Sequence, residues 1–161
     1  MTSSLAIRDA RGGDEDTIFT FLKAFAEFEK LTPIFRLTHE IIARDFLSER
    51  RRLQCEIAEW DGVPAGLMIW IRTYATFLAA PALYVEDLYV DPQFRRRGIG
   101  RALLARLAQQ AIAEGAIGIE WCVLDWNARA IQFYNSIGAP VAPEWRICRL
   151  RSDALRSLAA A

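Results

Sequence analysis

Val85-Glu86-Asp87-Leu88-Tyr89-Val90-Asp91-Pro92-Gln93-Phe94-Arg95-Arg96-Arg97-Gly98-Ile99-Gly100-Arg101 joins three local signals in one stretch. Its first six residues favour a strand, and Asp91-Pro92 ends it because proline cannot donate to a sheet ladder. A basic, glycine-bearing loop follows, and a helix opens at Ile99. Gly98 and Gly100 let the backbone turn tightly and pass close to a ligand. The first amides of a helix lack internal partners, and the macrodipole adds about half a positive charge there. Arg95, Arg96, Arg97 and Arg101 surround that point with guanidinium forks suited to phosphate oxygens. Strand, cationic loop and helix in this order make a cradle for a pyrophosphate. A glycine turn with solvated arginines is the plainer alternative, and it leaves that order unexplained.

Two other phosphate sites fit poorly. A nucleotide-hydrolysing loop needs Gly-Lys-Ser/Thr, whereas Arg101-Ala102 follows Gly100. A dinucleotide fold needs a third glycine and a place just after the first strand, and this loop sits in mid-chain.

Working outward, residues 5–8 read as a strand. Asp14-Glu15-Asp16 place acid at a helix start, and Ile18, Phe19, Phe21, Leu22, Phe25 and Phe28 follow with helical spacing. Thr32-Pro33 stops that helix, and Thr38 caps a second through Glu40, Ile41, Ile42 and Phe46. Residues 53–60 have strand character, and Asp61-Gly62 marks a hairpin into a strand at 66–72. Residues 83–90 form the next strand. The helix at 99–114 places Leu103, Leu104, Leu107, Ala108, Ala111 and Ile112 on one side, with Gly115 as its stop. A strand at 117–124 follows, then a short helix capped by Asn127 and closed by Gly138. Residues 145–150 read as a final strand and 151–161 as a frayed helix. The expected order is β-α-α-β-β-β-α-β-α-β, an α/β fold around a mixed sheet. No repeat or linker divides the chain, so residues 1–161 read as a single domain.

Twenty basic and twenty acidic side chains cancel among 161 residues. That balance argues against nucleic acid as a general partner. The three cysteines, Cys55, Cys122 and Cys148, are dispersed, so neither a disulfide framework nor a metal site is expected. The N-terminus lacks a secretory pattern, and the apolar run at 66–71 is too short to cross a bilayer. No membrane partner is expected, and a reducing cytoplasm fits best.

Arg95-Arg96-Arg97-Gly98-Ile99-Gly100 resembles the acetyl-CoA loop of the GNAT superfamily of N-acetyltransferases, Arg/Gln-x-x-Gly-x-Gly/Ala. Tyr84 to Val90 looks like the central strand of the diamine (spermidine/spermine) N-acetyltransferase branch. Trp126-Asn127, Ile131-Gln132-Phe133-Tyr134 and Gly138-Ala139 look like its C-terminal signature, and Phe28-Glu29 like its acceptor-binding pair. The resemblance implies a mainly antiparallel central sheet flanked by helices. It implies acetyl-CoA as cosubstrate, held at Leu88, Tyr89, Val90, Arg95, Arg96, Arg97, Gly98, Ile99, Gly100, Arg101, Asn127 and Ala130. It implies an amine acceptor facing Phe28, Glu29, Glu86, Glu120, Trp121, Cys122 and Glu144, and a homodimer. One departure matters: Tyr74, Ala75, Thr76, Phe77 and Leu78 stand where the diamine enzymes carry an acidic residue and a tryptophan. Loss of that carboxylate moves the reading towards a short amine or a lysine-like amino acid.

Amide formation from a thioester needs a neutral amine. An alkylammonium titrates near 10.4, so neutralising it at pH 7 costs roughly 4–5 kcal/mol. Glu86 is the expected proton acceptor, with a structural ion pair as its alternative role, and Asp87 is expected on the opposite face. Tyr134, otherwise readable as a core side chain, is the catalytic acid that the resemblance implies. His39 reads as surface capping, which leaves no Ser-His-Asp triad, and Cys122 as inert packing. Direct transfer in a ternary complex follows. Trp60, Trp70, Trp121, Trp126 and Trp145 read mainly as core or as surface between copies. A protein N-terminus or an antibiotic amine is the alternative acceptor, and a noncatalytic acyl-CoA-binding domain the alternative of another kind.

Overall fold

The computed structural model describes residues 4–161. Strands β1 (Leu5–Asp9), β2 (Gln54–Trp60), β3 (Val63–Ala75), β4 (Ala80–Val90) and β5 (Ile119–Trp121) form one sheet in sequential order. The first four pair antiparallel, and β4 pairs with β5 in parallel. A parallel pair cannot be joined by a tight turn, and helix α3 (Ile99–Ala113) supplies the crossover. Helices α1 (Glu15–Phe28) and α2 (His39–Ile42), the latter running into a π-helical turn at Ala43–Leu47, lie between β1 and β2 in sequence. Helices α4 (Ala128–Ser136) and α5 (Ser152–Ala159) end the chain. Two compact units result, Met1–Cys122 with the sheet and α1 to α3, and Val123–Ala161 with α4 and α5.

In the first unit, strand alternation sorts side chains onto two faces. Ile57, Leu67, Ile69 and Tyr89 cluster with Ile18, Phe21, Leu22, Ile42 and Phe46 from α1, α2 and the π turn. The other parity buries Met68, Trp70, Leu83 and Val85 towards α3, which buries Ile99, Leu103, Leu104 and Leu107 in return. Asp61 and Gly62 both take positive φ, 51° and 79°, the geometry a two-residue hairpin requires. Arg8 grips Asp14 with two guanidinium nitrogens at 2.7 and 2.9 Å and Glu59 at 2.8 Å, tying β1 to α1 and β2. The guanidinium accordingly holds the Asp14 carboxyl below the usual carboxylate range.

Gly66 fixes how closely β3 meets β4. A Cβ there would come within 2.5 Å of the Tyr89 carbonyl oxygen and 3.2 Å of Val90 Cα, both backbone atoms that cannot yield. Gly66→Ala is expected to cost about 1–3 kcal/mol of stability in urea melts, as overpacking does. An unchanged midpoint would contradict that close approach.

The periodicity-based elements are found, with corrections late in the chain. The expected final strand at 145–150 is not formed: every residue there is exposed and none joins the ladder. Alternation marks a segment as able to pair, but a strand exists only where a neighbour takes up its hydrogen bonds. The helix expected after that segment is present as α5. The strand expected over 117–124 shrinks to the three residues of β5, while β3 runs from Val63 to Ala75, past both expected ends, and β4 starts earlier than expected, at Ala80, and ends as expected at Val90.

Candidate active site

β4 carries the decisive irregularity. Asp87 aligns with Ile69 and Val85 with Trp70, so Glu86 is an extra residue without an opposite number on β3. Such a bulge bends the strand and re-aims its side chains. On the other side, β5 pairs only with Leu83, Tyr84 and Val85. From Glu86 to Val90, β4 therefore has no strand beside it on that edge among the described residues; Leu88, Tyr89 and Val90 lie along it, with the Val90 carbonyl already accepting from Arg95. Free backbone amides and carbonyls on such an edge are ready to pair with an extended chain.

The bulge also fixes where Asp87 stands: it lies opposite Ile69, whose side chain lies in the cluster under α1 and α2. Burial first, and then the charges of Glu86 and Glu29, push the Asp87 carboxyl up to about 6. Burial likewise raises Glu29, at the C-terminal end of α1. A carboxyl that holds its proton more tightly folded than unfolded makes stability fall as pH rises through that interval. Asp87→Asn removes this loss. Its stability relative to wild type is expected to improve by about 2 kcal/mol or less between about pH 4 and pH 7. A pH-independent difference in denaturant melts would contradict the burial.

The loop after β4 is pre-shaped. Asp91 accepts a hydrogen bond from the Gln93 amide at 2.9 Å, starting a 3₁₀ turn at Pro92–Phe94. Arg95 donates from Nε to the Val90 carbonyl at 3.0 Å, and its guanidinium lies 5.8 Å from the Phe28 ring centre. Arg96 takes φ 65° and Gly98 φ 79°. Between them, the Arg97 guanidinium lies 5.1 Å from the Trp60 ring and 5.4 Å from that of Phe94. Gly98 caps α3 with no side-chain hydrogen bond, and the space a Cβ would fill there is empty. The first amides of α3 thus remain for an anion. Ile99 is buried beneath the loop, while Arg96 and Arg101 are exposed; Gly100 opens the first turn.

On the acceptor side, Phe28 is 43% exposed at the end of α1, with Glu29 next to it. Glu86 is exposed, and Glu120 on β5 aligns with Tyr84 and is exposed as well. Trp121 aligns with Val85 and is half-buried. Cys122 differs from expectation: it is exposed, and the Tyr84 hydroxyl donates to its Sγ at 3.2 Å. That contact raises the Tyr84 phenol, with burial adding to it. The inert packing cysteine is Cys55, whose thiol burial pushes up to about 12. Asp87, Tyr84 and Trp60 escaped the sequence reading, because only the bulge, the β4–β5 alignment and the loop packing bring them to the site. His39, as expected, serves the surface: it stacks on Phe19 and hydrogen-bonds Asp16 at 2.7 Å.

In the second unit, Asn127 caps α4 through Oδ1, which accepts from the Ala130 amide at 3.2 Å. Tyr134 is half-buried on α4, its ring centre 5.4 Å from that of Phe133. Gly138 follows the helix with φ 84°, and Glu144 is exposed in a turn.

An open-edged bulged strand running into a phosphate-shaped loop and helix is the geometry expected of an acyl-CoA enzyme. Residues 17–139 match the model of the Acetyltransferase (GNAT) family, and the chain belongs to that family. It is accordingly an acyltransferase. It is 31% identical to the thialysine N-epsilon-acetyltransferase of Bos taurus over 95% of this chain and 96% of that protein. It is 44% identical to the L-ornithine N5-acetyltransferase of Arabidopsis thaliana over 98 residues, 61% of this chain but only 43% of that protein. An integron cassette protein from the mobile metagenome of V. cholerae shares the fold, with a TM-score of 0.82 at 21% identity over 98% of this chain and 99% of that one. Among the described residues no helix is long and apolar enough to cross a membrane, and no cluster of three metal-ligating side chains occurs.

Proposed function

We propose that the protein transfers acetyl from acetyl-CoA to a primary amine of a small cationic acceptor, a polyamine, a diamine or a lysine-like amino acid. The observation that carries this reading is the open edge of β4 beyond the Glu86 bulge, leading into the uncapped start of α3. Leu88, Tyr89 and Val90 offer backbone groups to the pantetheine amides by strand addition. The loop from Arg95 to Arg101 holds the diphosphate, and Asn127 and Ala130 contact the far part of the coenzyme. The coenzyme supplies an activated acetyl thioester. Family membership at 17–139 runs through both compact units, which supports a single acetyltransferase domain.

Glu86, Glu29 and Glu120 attract the acceptor's positive charge, with Phe28, Trp121, Cys122 and Glu144 as further contacts. Glu86 takes a proton from the ammonium, directly or through one water, and frees the nitrogen lone pair. Tyr134 gives its proton to the departing sulfur as the C–N bond forms and the C–S bond breaks, and the second proton shed by the nitrogen on becoming an amide returns, through water, to the tyrosine. A thiol of pKa about 8.5 is already a fair leaving group, so the Tyr134 contribution is moderate. Attack is direct, within a ternary complex. A homodimer, on the strength of the resemblance, and a cytoplasmic setting with no nucleic acid or membrane partner, on the charge balance, the dispersed cysteines and the short apolar run, complete the proposal.

CoA release, followed with a thiol reagent against a panel of amines, tests the acceptor. Turnover with thialysine, ornithine or spermidine is expected. Turnover restricted to peptides or aminoglycosides would overturn the acceptor class, and tight acetyl-CoA binding without turnover on any amine would overturn the enzyme assignment.

A further inference from the structure

Two of the loop arginines, Arg95 and Arg97, are already engaged by rings or backbone. Arg95 spans the Val90 carbonyl and Phe28, and Arg97, though exposed, is within cation–π range of both Trp60 and Phe94. The intervening Arg96 adopts left-handed backbone, which strains the segment at that residue and makes it dependent on its surroundings, while Gly98 takes positive φ without that cost. Trp60 is the last residue of β2, paired with Val63 across the Asp61-Gly62 hairpin. It is thus carried on rigid sheet rather than on the loop it meets.

We propose that Trp60 is a positioning residue for coenzyme binding: through Arg97 it clamps the loop in the shape that aims the first amides of α3, with Arg96 and Arg101, at the diphosphate. The inference rests on reading that loop as the diphosphate site. It divides the labour among the arginines, two bracing and two gripping. The hairpin, which carries no residue of the reaction, becomes part of the coenzyme site.

Calorimetry with acetyl-CoA on the full chain, together with steady-state kinetics, tests the clamp. Trp60→Ala is expected to raise the acetyl-CoA Kd about tenfold while kcat at saturating coenzyme stays within about twofold and the acceptor KM is unchanged. Trp60→Phe keeps a ring face and is expected to restore most of the affinity, and it serves as the informative variant if Trp60→Ala folds poorly. Arg97→Ala should weaken binding similarly, and the double variant Trp60→Ala/Arg97→Ala no further, since both remove one contact. Hydrogen exchange of the loop amides should quicken in Trp60→Ala with no coenzyme present. Unchanged Kd in Trp60→Ala against a wild type that binds overturns the clamp alone, as do losses that multiply in the double variant. A wild type that takes up no acetyl-CoA overturns the clamp and the proposed function together.

Discussion

Replacing Gly98 with valine is expected to raise the KM for acetyl-CoA by about 10²-fold. Gly98 holds φ 79°, a region where an L-residue pays roughly 1–2 kcal/mol and a β-branched one more. The cost falls at the residue that starts α3, so relaxing it turns the first amides away from the anion. The new side chain also projects into space that is empty around Gly98 and that the account gives to the coenzyme. Together the two effects amount to about 3 kcal/mol, and 1.4 kcal/mol is tenfold in affinity. Turnover at saturating coenzyme should fall much less, because neither Glu86 nor Tyr134 is touched. A KM within threefold of wild type, in a variant that melts normally, would show that the loop does not carry the diphosphate.

Glu86→Gln is expected to lower kcat at neutral pH by roughly 10²–10³-fold, the range for loss of a general base. The side chain is nearly isosteric and exposed, so stability should be little affected. The pH profile separates a base from a structural partner. Without the carboxylate, turnover depends on amine already neutral in solution, so it should climb about tenfold per pH unit until the acceptor's own pKa is approached. A profile parallel to wild type would mean that Glu86 serves only to hold charge, and Asp87, on the same bulge, would become the base to test.

Local elements were legible because periodicity reports them directly. The apolar stripe of α1, the Asp61-Gly62 turn, the caps at Thr38 and Asn127 and the whole strand–loop–helix from Val85 to Arg101 depend on near neighbours. The bulge at Glu86 does not, since it exists only through the register between β3 and β4. The face that Asp87 takes is set by that register and not by its neighbours in sequence. A strand over 117–124 would make Cys122 packing, whereas β5 ends at Trp121 and the thiol is exposed. Residues 145–150 show the converse, strand-like alternation that meets no ladder. The four loop arginines looked equivalent in sequence. Arg95 and Arg97 each meet a ring, although Arg97 is exposed like Arg96 and Arg101; those contacts come from Phe28 and Trp60, each more than 30 positions away.

The central claim is that the bend at Gly98 and its guanidinium neighbours hold the diphosphate of CoA while the thioester lies along β4. Calorimetry of the purified protein with acetyl-CoA, CoA and acetyl-pantetheine, which lacks the diphosphate, tests it most directly. One acetyl-CoA per chain is expected, with CoA close behind and acetyl-pantetheine weaker by about 10²-fold or more. No heat with acetyl-CoA, or acetyl-pantetheine binding as tightly as the full coenzyme, would contradict the account.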